Sequence, residues 1–172
     1  MAVAAIVGGG PRIGSNIARA FAAEGFDIAT LSRHPENHAD VVKELDHRGT
    51  RVSSLALDAT DPTVTKRVFA ELTADLGAPE VVVYNPAVMP MYSFAQLTPE
   101  AVGEALPVML YGAINTVQAV LPLMRERGSG TLIFTGGGFA VEPSVPRAPH
   151  SIAKAALRNY AHGLHLELKE EG

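Results

Sequence analysis

The chain opens with a short apolar run, Ala2-Val-Ala-Ala-Ile-Val7, followed directly by a glycine-rich turn, Gly8-Gly-Gly-Pro-Arg-Ile-Gly14. The apolar run is typical of a buried parallel strand. Beyond the turn, apolar residues recur at helical spacing and predict a helix over residues 15–24. A strand, a glycine turn and a helix in this order present backbone N–H groups and a helix N-terminus to a phosphate. A dinucleotide is therefore the first ligand that the sequence indicates.

Size and composition narrow the classes of protein that fit the chain. Its 172 residues are enough for one domain with a hydrophobic core, and we expect residues 1–172 to form a single domain. A net charge of −4 and the absence of a Lys/Arg run argue against nucleic acid as a partner. The chain has no cysteine, which excludes disulfides and thiolate chemistry and is compatible with a cytoplasmic location.

Membrane association is not expected either. No apolar segment of the sequence is expected to reach the roughly 20 residues that cross a bilayer. The N-terminus has neither the basic region nor the long apolar region of a signal peptide. No metal site is predicted.

Predicted strands and helices alternate along the rest of the chain. Further strands are expected over residues 26–32, 52–57, 80–84 and 131–135, and further helices over 36–48, 62–77, 106–127 and 151–169. Asp61 before Pro62, and Thr98 before Pro99, have the pattern of an N-cap with proline at the first helical position. Repeated βα units predict an α/β fold with a doubly wound, Rossmann-like parallel sheet in three layers. The ligand of such a sheet binds at the carboxyl ends of its strands.

Glycines and arginines at these strand ends indicate which dinucleotide to expect. Gly8, Gly10 and Gly14 fit a phosphate-binding turn better than a purely structural one, because a strand precedes them and a helix follows. Arg33 lies about 20 residues beyond the turn, where an acidic residue would bind the adenosine ribose and favour NAD. A planar guanidinium suits a phosphate instead, and Arg12 could add charge from the turn. We therefore expect NADP, with NAD the less favoured cofactor.

Five segments in a fixed order carry a resemblance to a known family. They are the glycine turn, with Arg12 in place of a middle glycine, and residues 57–61, 83–87, 117–124 and 150–157. In this order they resemble the short-chain dehydrogenase/reductase family. The resemblance implies hydride transfer between a nicotinamide and a small-molecule carbonyl or alcohol substrate. It also implies that the helices over 106–127 and 151–169 pair with a twofold mate in a homodimer or homotetramer.

The resemblance also implies roles for individual residues in cofactor binding. It places Ile13 in the cofactor-binding turn, Asp58 against the adenine, Asn85 on the ribose side of the cofactor, and Lys154 on the ribose. Each of the last three has a structural alternative. Asp58 could only cap a turn, Asn85 could only form the turn before Pro86, and Lys154 could be a solvated surface lysine.

Departures from the family pattern concern the acid/base chemistry. By resemblance, His150 stands at the position of the tyrosine acid/base, Gly137 at that of the serine and Met109 at that of the asparagine. Only Lys154 keeps the family's residue. An imidazole can accept or donate a proton near neutral pH, so His150 and Lys154 are the predicted catalytic pair. The alternative for His150 is a surface-loop residue after Pro149.

Other functions on the same fold stay open at this point. The loss of three of the four family residues also suits an NADP-binding protein without turnover, such as a sensor or a scaffold subunit. A hydration or isomerisation without nicotinamide is a weaker alternative. By resemblance, the chain is expected to lack the family's usual C-terminal strand and substrate-covering lid.

Overall fold

Parallel strands alternate with helices throughout residues 1–171, the part of the chain that the computed structural model describes. The strands are β1 (Val3–Val7), β2 (Asp27–Ser32), β3 (Val52–Ala56), β4 (Val81–Tyr84) and β5 (Thr131–Phe134). The α-helices are α1 (Ile13–Ala23), α2 (Ala39–His47), α3 (Pro62–Asp75), α4 (Pro99–Gly103), α5 (Gly112–Arg127) and α6 (Ala148–Leu168).

The strand order is β3-β2-β1-β4-β5, and every neighbouring pair is parallel. The chain therefore builds the sheet outward from β1 to β3 and then returns to the other side of β1 for β4 and β5. This reversal confirms the predicted doubly wound, Rossmann-like sheet. It also places a crevice at the carboxyl ends of β1 and β4, where the two directions of winding separate.

The central strand β1 contributes side chains to a hydrophobic core on each face of the sheet. All five residues of β1 are buried, and because side chains alternate along a strand they enter two separate cores. Val3, Ala5 and Val7 pack with residues of α3, α5 and α6 on one face. Ala4 and Ile6 pack with residues of α1 and α2 on the other. Helices thus cover both faces, as the sequence predicted.

Two helix starts have the capping that their sequence predicted. Asp61 Oδ1 accepts hydrogen bonds from the N–H groups of Thr63 (2.8 Å) and Val64 (3.0 Å) at the start of α3. Thr98 Oγ1 accepts one from the N–H of Ala101 (3.3 Å) at the start of α4. A proline follows each cap, at a position where its missing N–H leaves no acceptor unpaired.

Several helix boundaries differ from those predicted, most clearly at the starts of three helices. The helix expected over 36–48 opens as a 3₁₀ turn, Pro35–His38, before α2. The helix expected over 106–127 opens as a π-helical turn, Pro107–Tyr111, before α5. There the Tyr84 hydroxyl donates to the carbonyl of Val108 (2.6 Å). The last helix begins at Ala148 rather than 151, because Pro149 is tolerated in a first helical turn.

We expected no segment to be long and apolar enough to cross a bilayer. By length and composition this expectation is wrong. Within residues 1–171, the run Pro99–Arg127 meets both criteria, because the π-helical turn joins α4 to α5. An apolar helix packed in a protein core meets them as well, and α5 packs against α3. The run alone is therefore weak support for a membrane span.

Candidate active site

A cleft of about 380 Å³ opens at the carboxyl ends of β1, β2 and β4, where the winding of the sheet reverses. Its walls come from the glycine turn after β1, the residues that follow β2 and β3, and the end of β4. Four of the predicted cofactor-binding residues line it: Gly8, Gly10, Arg33 and Asp58. The structure therefore brings the glycine turn and the Arg33 guanidinium to one cavity.

Two of the three predicted glycines leave no room for a side chain, whereas the third faces open space. Gly8 has a φ of +75°, and a Cβ there would lie 2.5 Å from the ring of Pro86. At Gly14 a Cβ would overlap the backbone of Gly9. A Cβ on Gly10 would meet no atom within 4 Å. The turn is thus packed tightly from behind and open toward the cleft, a shape that fits a phosphate.

Arg12 and Ile13 connect the turn to α1. Arg12 caps the helix without a side-chain hydrogen bond, and Ile13 is its first residue. Both side chains are exposed, and neither lines the cleft. Contacts of these two residues with a cofactor stay predictions.

The cations beside the cleft are not neutralised by neighbouring acids. In the described part of the chain, no carboxylate oxygen lies within 4.0 Å of the guanidinium of Arg12 or Arg33. Arg33 lines the cleft itself, whereas Arg12 lies at the N-terminus of α1. Both are therefore available to an anionic ligand.

Asp58 forms a turn and also lines the cleft. Its Oδ1 accepts hydrogen bonds from the hydroxyl (2.8 Å) and the N–H (3.0 Å) of Thr60. These two bonds, and to a smaller extent the charge of Arg33, hold the pKa of Asp58 below its ordinary value. The turn-capping alternative is thus observed, while Oδ2 makes no hydrogen bond within residues 1–171 and remains available to a ligand.

Asn85 connects the end of β4 to the glycine turn. Its Nδ2 donates to the carbonyl of Gly8 (3.0 Å), so the amide holds the turn in place. Asn85 does not line the cleft. The predicted contact with the ribose stays a prediction.

His150 lies in the first turn of α6 and is only 4% exposed, so the surface-loop alternative is wrong. Its Nδ1 is 2.7 Å from the carbonyl oxygen of Val88. Because a carbonyl can only accept, Nδ1 carries a proton and, in the neutral ring, Nε2 carries the lone pair. Nε2 has no hydrogen-bond partner in the described chain, which leaves it free to exchange a proton with a ligand.

Lys154 lies one turn further along α6 and is 5% exposed, which contradicts the solvated-surface alternative. Its Nζ donates to the carbonyl of Thr135 (2.6 Å), the residue after β5. Burial lowers the pKa of the Lys154 ammonium. The hydrogen bond fixes the ammonium at the carboxyl end of the sheet. Neither His150 nor Lys154 belongs to the lining of the 380 Å³ cleft.

The positions at which the family resemblance expects a serine and an asparagine carry no polar side chain. Met109 is fully buried and packs with Ala105 and Ala153. Gly137 lies in extended backbone with open space around it. Beside them, the ring of Phe139 meets that of His150 edge-on at 5.9 Å.

Sequence reasoning missed several residues that line or support the cleft, among them Ser32, His38 and Tyr84. Ser32 directly precedes Arg33 and could have been found from its place at a strand end. His38 and Tyr84 carry no such signal, because their importance comes from burial against distant segments. Within residues 1–171, no group of three or more His, Asp or Glu residues could hold a metal ion.

A larger groove of about 920 Å³ lies beside β5, between α5 and α6. Its walls are mainly apolar and include Leu121, Leu132, Ile133 and Leu164. It contains none of the predicted site residues. We place the candidate site at the smaller cleft because the glycine turn and Arg33 lie there.

Known proteins are similar to this chain in sequence and in fold. The sequence matches the short chain dehydrogenase family over residues 2–172. It is 30% identical to the very-long-chain 3-oxoacyl-CoA reductase of Schizosaccharomyces pombe, covering 98% of this chain and 52% of that protein. A short-chain dehydrogenase from Rhodopseudomonas palustris has a similar structure, with a TM-score of 0.92, 26% identity, and coverage of 99% of this chain and 80% of that one.

A third similar structure is the NADPH-bound form of a short chain oxidoreductase from Pseudomonas aeruginosa PAO1 described as containing an atypical catalytic center. Its TM-score is 0.89 at 24% identity, with coverage of 99% of this chain and 67% of that one, so it supports the fold alone. The chain spans about half the length of the first two curated relatives, 52% and 55%. Because the family match extends over nearly all of its residues, the chain belongs to the short-chain dehydrogenase family.

Proposed function

We propose that this chain forms the cofactor-binding part of an NADP-dependent oxidoreductase that moves hydride between a nicotinamide and a small-molecule carbonyl or alcohol. One observation carries the proposal: Arg33, without an acidic partner in the described chain, lines the same cleft as the open side of the glycine turn. A cytoplasmic location is part of the proposal and agrees with the absence of cysteine.

The residues around the cleft fit NADP. The backbone of the glycine turn would bind the pyrophosphate, and Arg33 with Arg12 would bind the additional phosphate on the adenosine ribose. The unpaired Oδ2 of Asp58 is available to an amino group of the adenine. When bound, the cofactor supplies or accepts the hydride, while the protein supplies orientation and charge.

His150 is the residue proposed to transfer the proton. In its neutral form Nε2 accepts a proton from an alcohol being oxidised, because Nδ1 is already held by the Val88 carbonyl. The protonated ring donates in the reverse direction. Lys154 uses one ammonium hydrogen on Thr135, and its two remaining donors are available to the hydroxyls of a ribose.

The test is oxidation of NADPH with a panel of aldehydes and ketones, comparing the wild-type chain with His150→Phe. Phenylalanine keeps a ring of similar size but cannot carry a proton, so we expect turnover to fall by a factor of about 100 or more. NADPH affinity should stay unchanged. His162→Phe, an exposed position on the same helix, is the matched control. A rate unaffected by His150→Phe removes His150 from the reaction.

A second candidate function is NADP binding without turnover. The apolar surroundings of Met109 and the bare backbone at Gly137 favour it, since neither position offers a polar group to a carbonyl. It predicts NADPH binding in a fluorescence titration without oxidation by any carbonyl compound of the panel. Turnover by the wild-type protein rejects it.

A further inference from the structure

His38 lies beneath the glycine turn, and the function proposed above does not use it. It ends the 3₁₀ turn after β2 and is 1% exposed. A Cβ built on Gly9 would lie 2.6 Å from Cε1 of its ring and 3.3 Å from each ring nitrogen. On the same ring, Nε2 lies 3.1 Å from Oγ of Ser32. One imidazole thus contacts both the glycine turn and the end of β2.

The position of the ring proton follows from the surroundings of the two nitrogens. Nδ1 of His38 is buried and has no hydrogen-bond partner in the described part of the protein. A buried N–H without an acceptor is rarer than an unpaired lone pair, so the proton belongs on Nε2. The Nε2–H group therefore donates to the Ser32 hydroxyl oxygen. Burial also lowers the pKa of His38, which favours the neutral ring.

This arrangement decides what the Ser32 hydroxyl can do. Its oxygen accepts from His38, so its own O–H is free to donate, and it has no acceptor for that hydrogen within residues 1–171. Ser32 lines the cleft directly beside Arg33. A donor in this position faces the part of the cleft that holds an anionic group under the proposed function.

We propose that His38 is a positioning residue that makes Ser32 a hydrogen-bond donor to the phosphate on the adenosine ribose and holds the glycine turn against it. The inference rests on the proposed NADP binding and names two further residues that set the preference for NADP. A phosphate dianion is a stronger acceptor than a ribose hydroxyl. Loss of this donor therefore weakens NADPH more than NADH.

The experiment measures NADPH and NADH affinity by fluorescence titration at one salt concentration, using the full chain. In His38→Leu we expect the NADPH-over-NADH affinity ratio to fall by about tenfold, the usual effect of one lost hydrogen bond to a charged group. His38→Gln keeps an N–H at the place of Nε2 and should restore most of the ratio. In a Ser32→Ala background, His38→Leu should change the ratio no further. His47→Leu, at an exposed histidine of α2, is the matched control.

An unchanged ratio in folded His38→Leu, as judged by circular dichroism, overturns the inference. If that variant does not fold, Ser32→Ala is the deciding variant, because Ser32 is only half-buried. An unchanged NADPH-over-NADH affinity ratio in Ser32→Ala overturns the inference, and a lowered ratio supports it. Failure of the proposed function looks different. The wild-type protein would then bind neither nucleotide, and no ratio could be measured.

Discussion

Arg33 is the side chain on which the preference between the two nicotinamide cofactors is expected to depend most. It lines the cleft and forms no salt bridge with a carboxylate of the described chain, so its guanidinium is available to a ligand. A hydrogen bond to a charged group contributes about 1.5–3 kcal/mol. We expect Arg33→Ala to weaken NADPH binding by a factor of about 10–100 and to leave NADH nearly unchanged, as measured by fluorescence titration.

Arg48→Ala is the control for the Arg33 variant. Arg48 is an exposed arginine paired with Glu44 (3.0 Å) on the surface of the protein. An equal loss of affinity for both nucleotides in Arg33→Ala would contradict a contact with the additional phosphate.

His38 should also make the stability of the protein depend on pH. Its pKa is lowered in the folded protein by burial, whereas the unfolded chain keeps a value near 6.5. As the pH falls below that value, the unfolded state takes up a proton that the folded state does not, so the free energy of unfolding decreases. The decrease ends once the pH is below the folded-state pKa.

Urea unfolding between pH 7.5 and pH 5 measures this effect. The acid-dependent loss of stability should be smaller in His38→Leu than in the wild-type protein, because leucine does not titrate. Equal slopes in the two proteins would show that His38 is not the group responsible.

Single residues also show where sequence reasoning reached its limit. Arg33 was found because its distance from the glycine turn has a meaning in this type of fold. The contacts of three other residues are made with segments that are remote in sequence. His150 bonds to Val88, Lys154 bonds to Thr135, and the ring of His38 packs against Gly9. A polar residue carries no local sign of such contacts.

At the level of elements, the glycine turn is the connection with the least tolerance for change. A Cβ at Gly14 would overlap Gly9, so Gly14→Ala forces α1 away from the turn. Overpacking of this kind costs about 1–3 kcal/mol. We expect Gly14→Ala to lower the thermal midpoint by several degrees and to abolish NADPH binding.

Gly10→Ala is the matched control for stability, since its added Cβ meets no atom within 4 Å. Its thermal midpoint should equal that of the wild-type protein. Similar midpoints for the two alanine variants would contradict the tight packing described for Gly14.

The π-helical turn shows why one element was only partly predicted. Apolar spacing predicted a helix over 106–127 but not the wider turn at its start. Two features favour that turn. Pro107 has no N–H to donate to a helical hydrogen bond, and the Tyr84 hydroxyl donates to the carbonyl of Val108. Gly112 leaves room for the same hydroxyl. Tyr84 and Val108 are distant in sequence, so local spacing could not indicate their contact.

At the level of the whole molecule, the order of strands and helices was predictable because buried strands and amphipathic helices alternate without interruption. The single-domain organisation stays a prediction, as does the cytoplasmic location. The oligomeric state is open to a direct test. We propose, from the family resemblance, that α5 and α6 pair with a second copy of the chain.

Light scattering of the purified protein tests this pairing. We expect two or four times the chain mass of 18.1 kDa. Leu166 is 51% exposed on α6, and Leu166→Glu should shift the mass toward that of a monomer because it places a charge in an apolar interface. A wild-type monomer at micromolar concentration would contradict the proposed interface.

The position of β5 has a practical consequence. It is an outer strand of the sheet, its sequence Thr-Leu-Ile-Phe is strongly β-forming, and the large apolar groove lies next to it. The unpaired backbone groups of an edge strand can pair with a strand of another molecule, which is how aggregation often begins. Solutions of these 172 residues should therefore become turbid as the protein concentration rises, unless another polypeptide segment covers the free edge of β5.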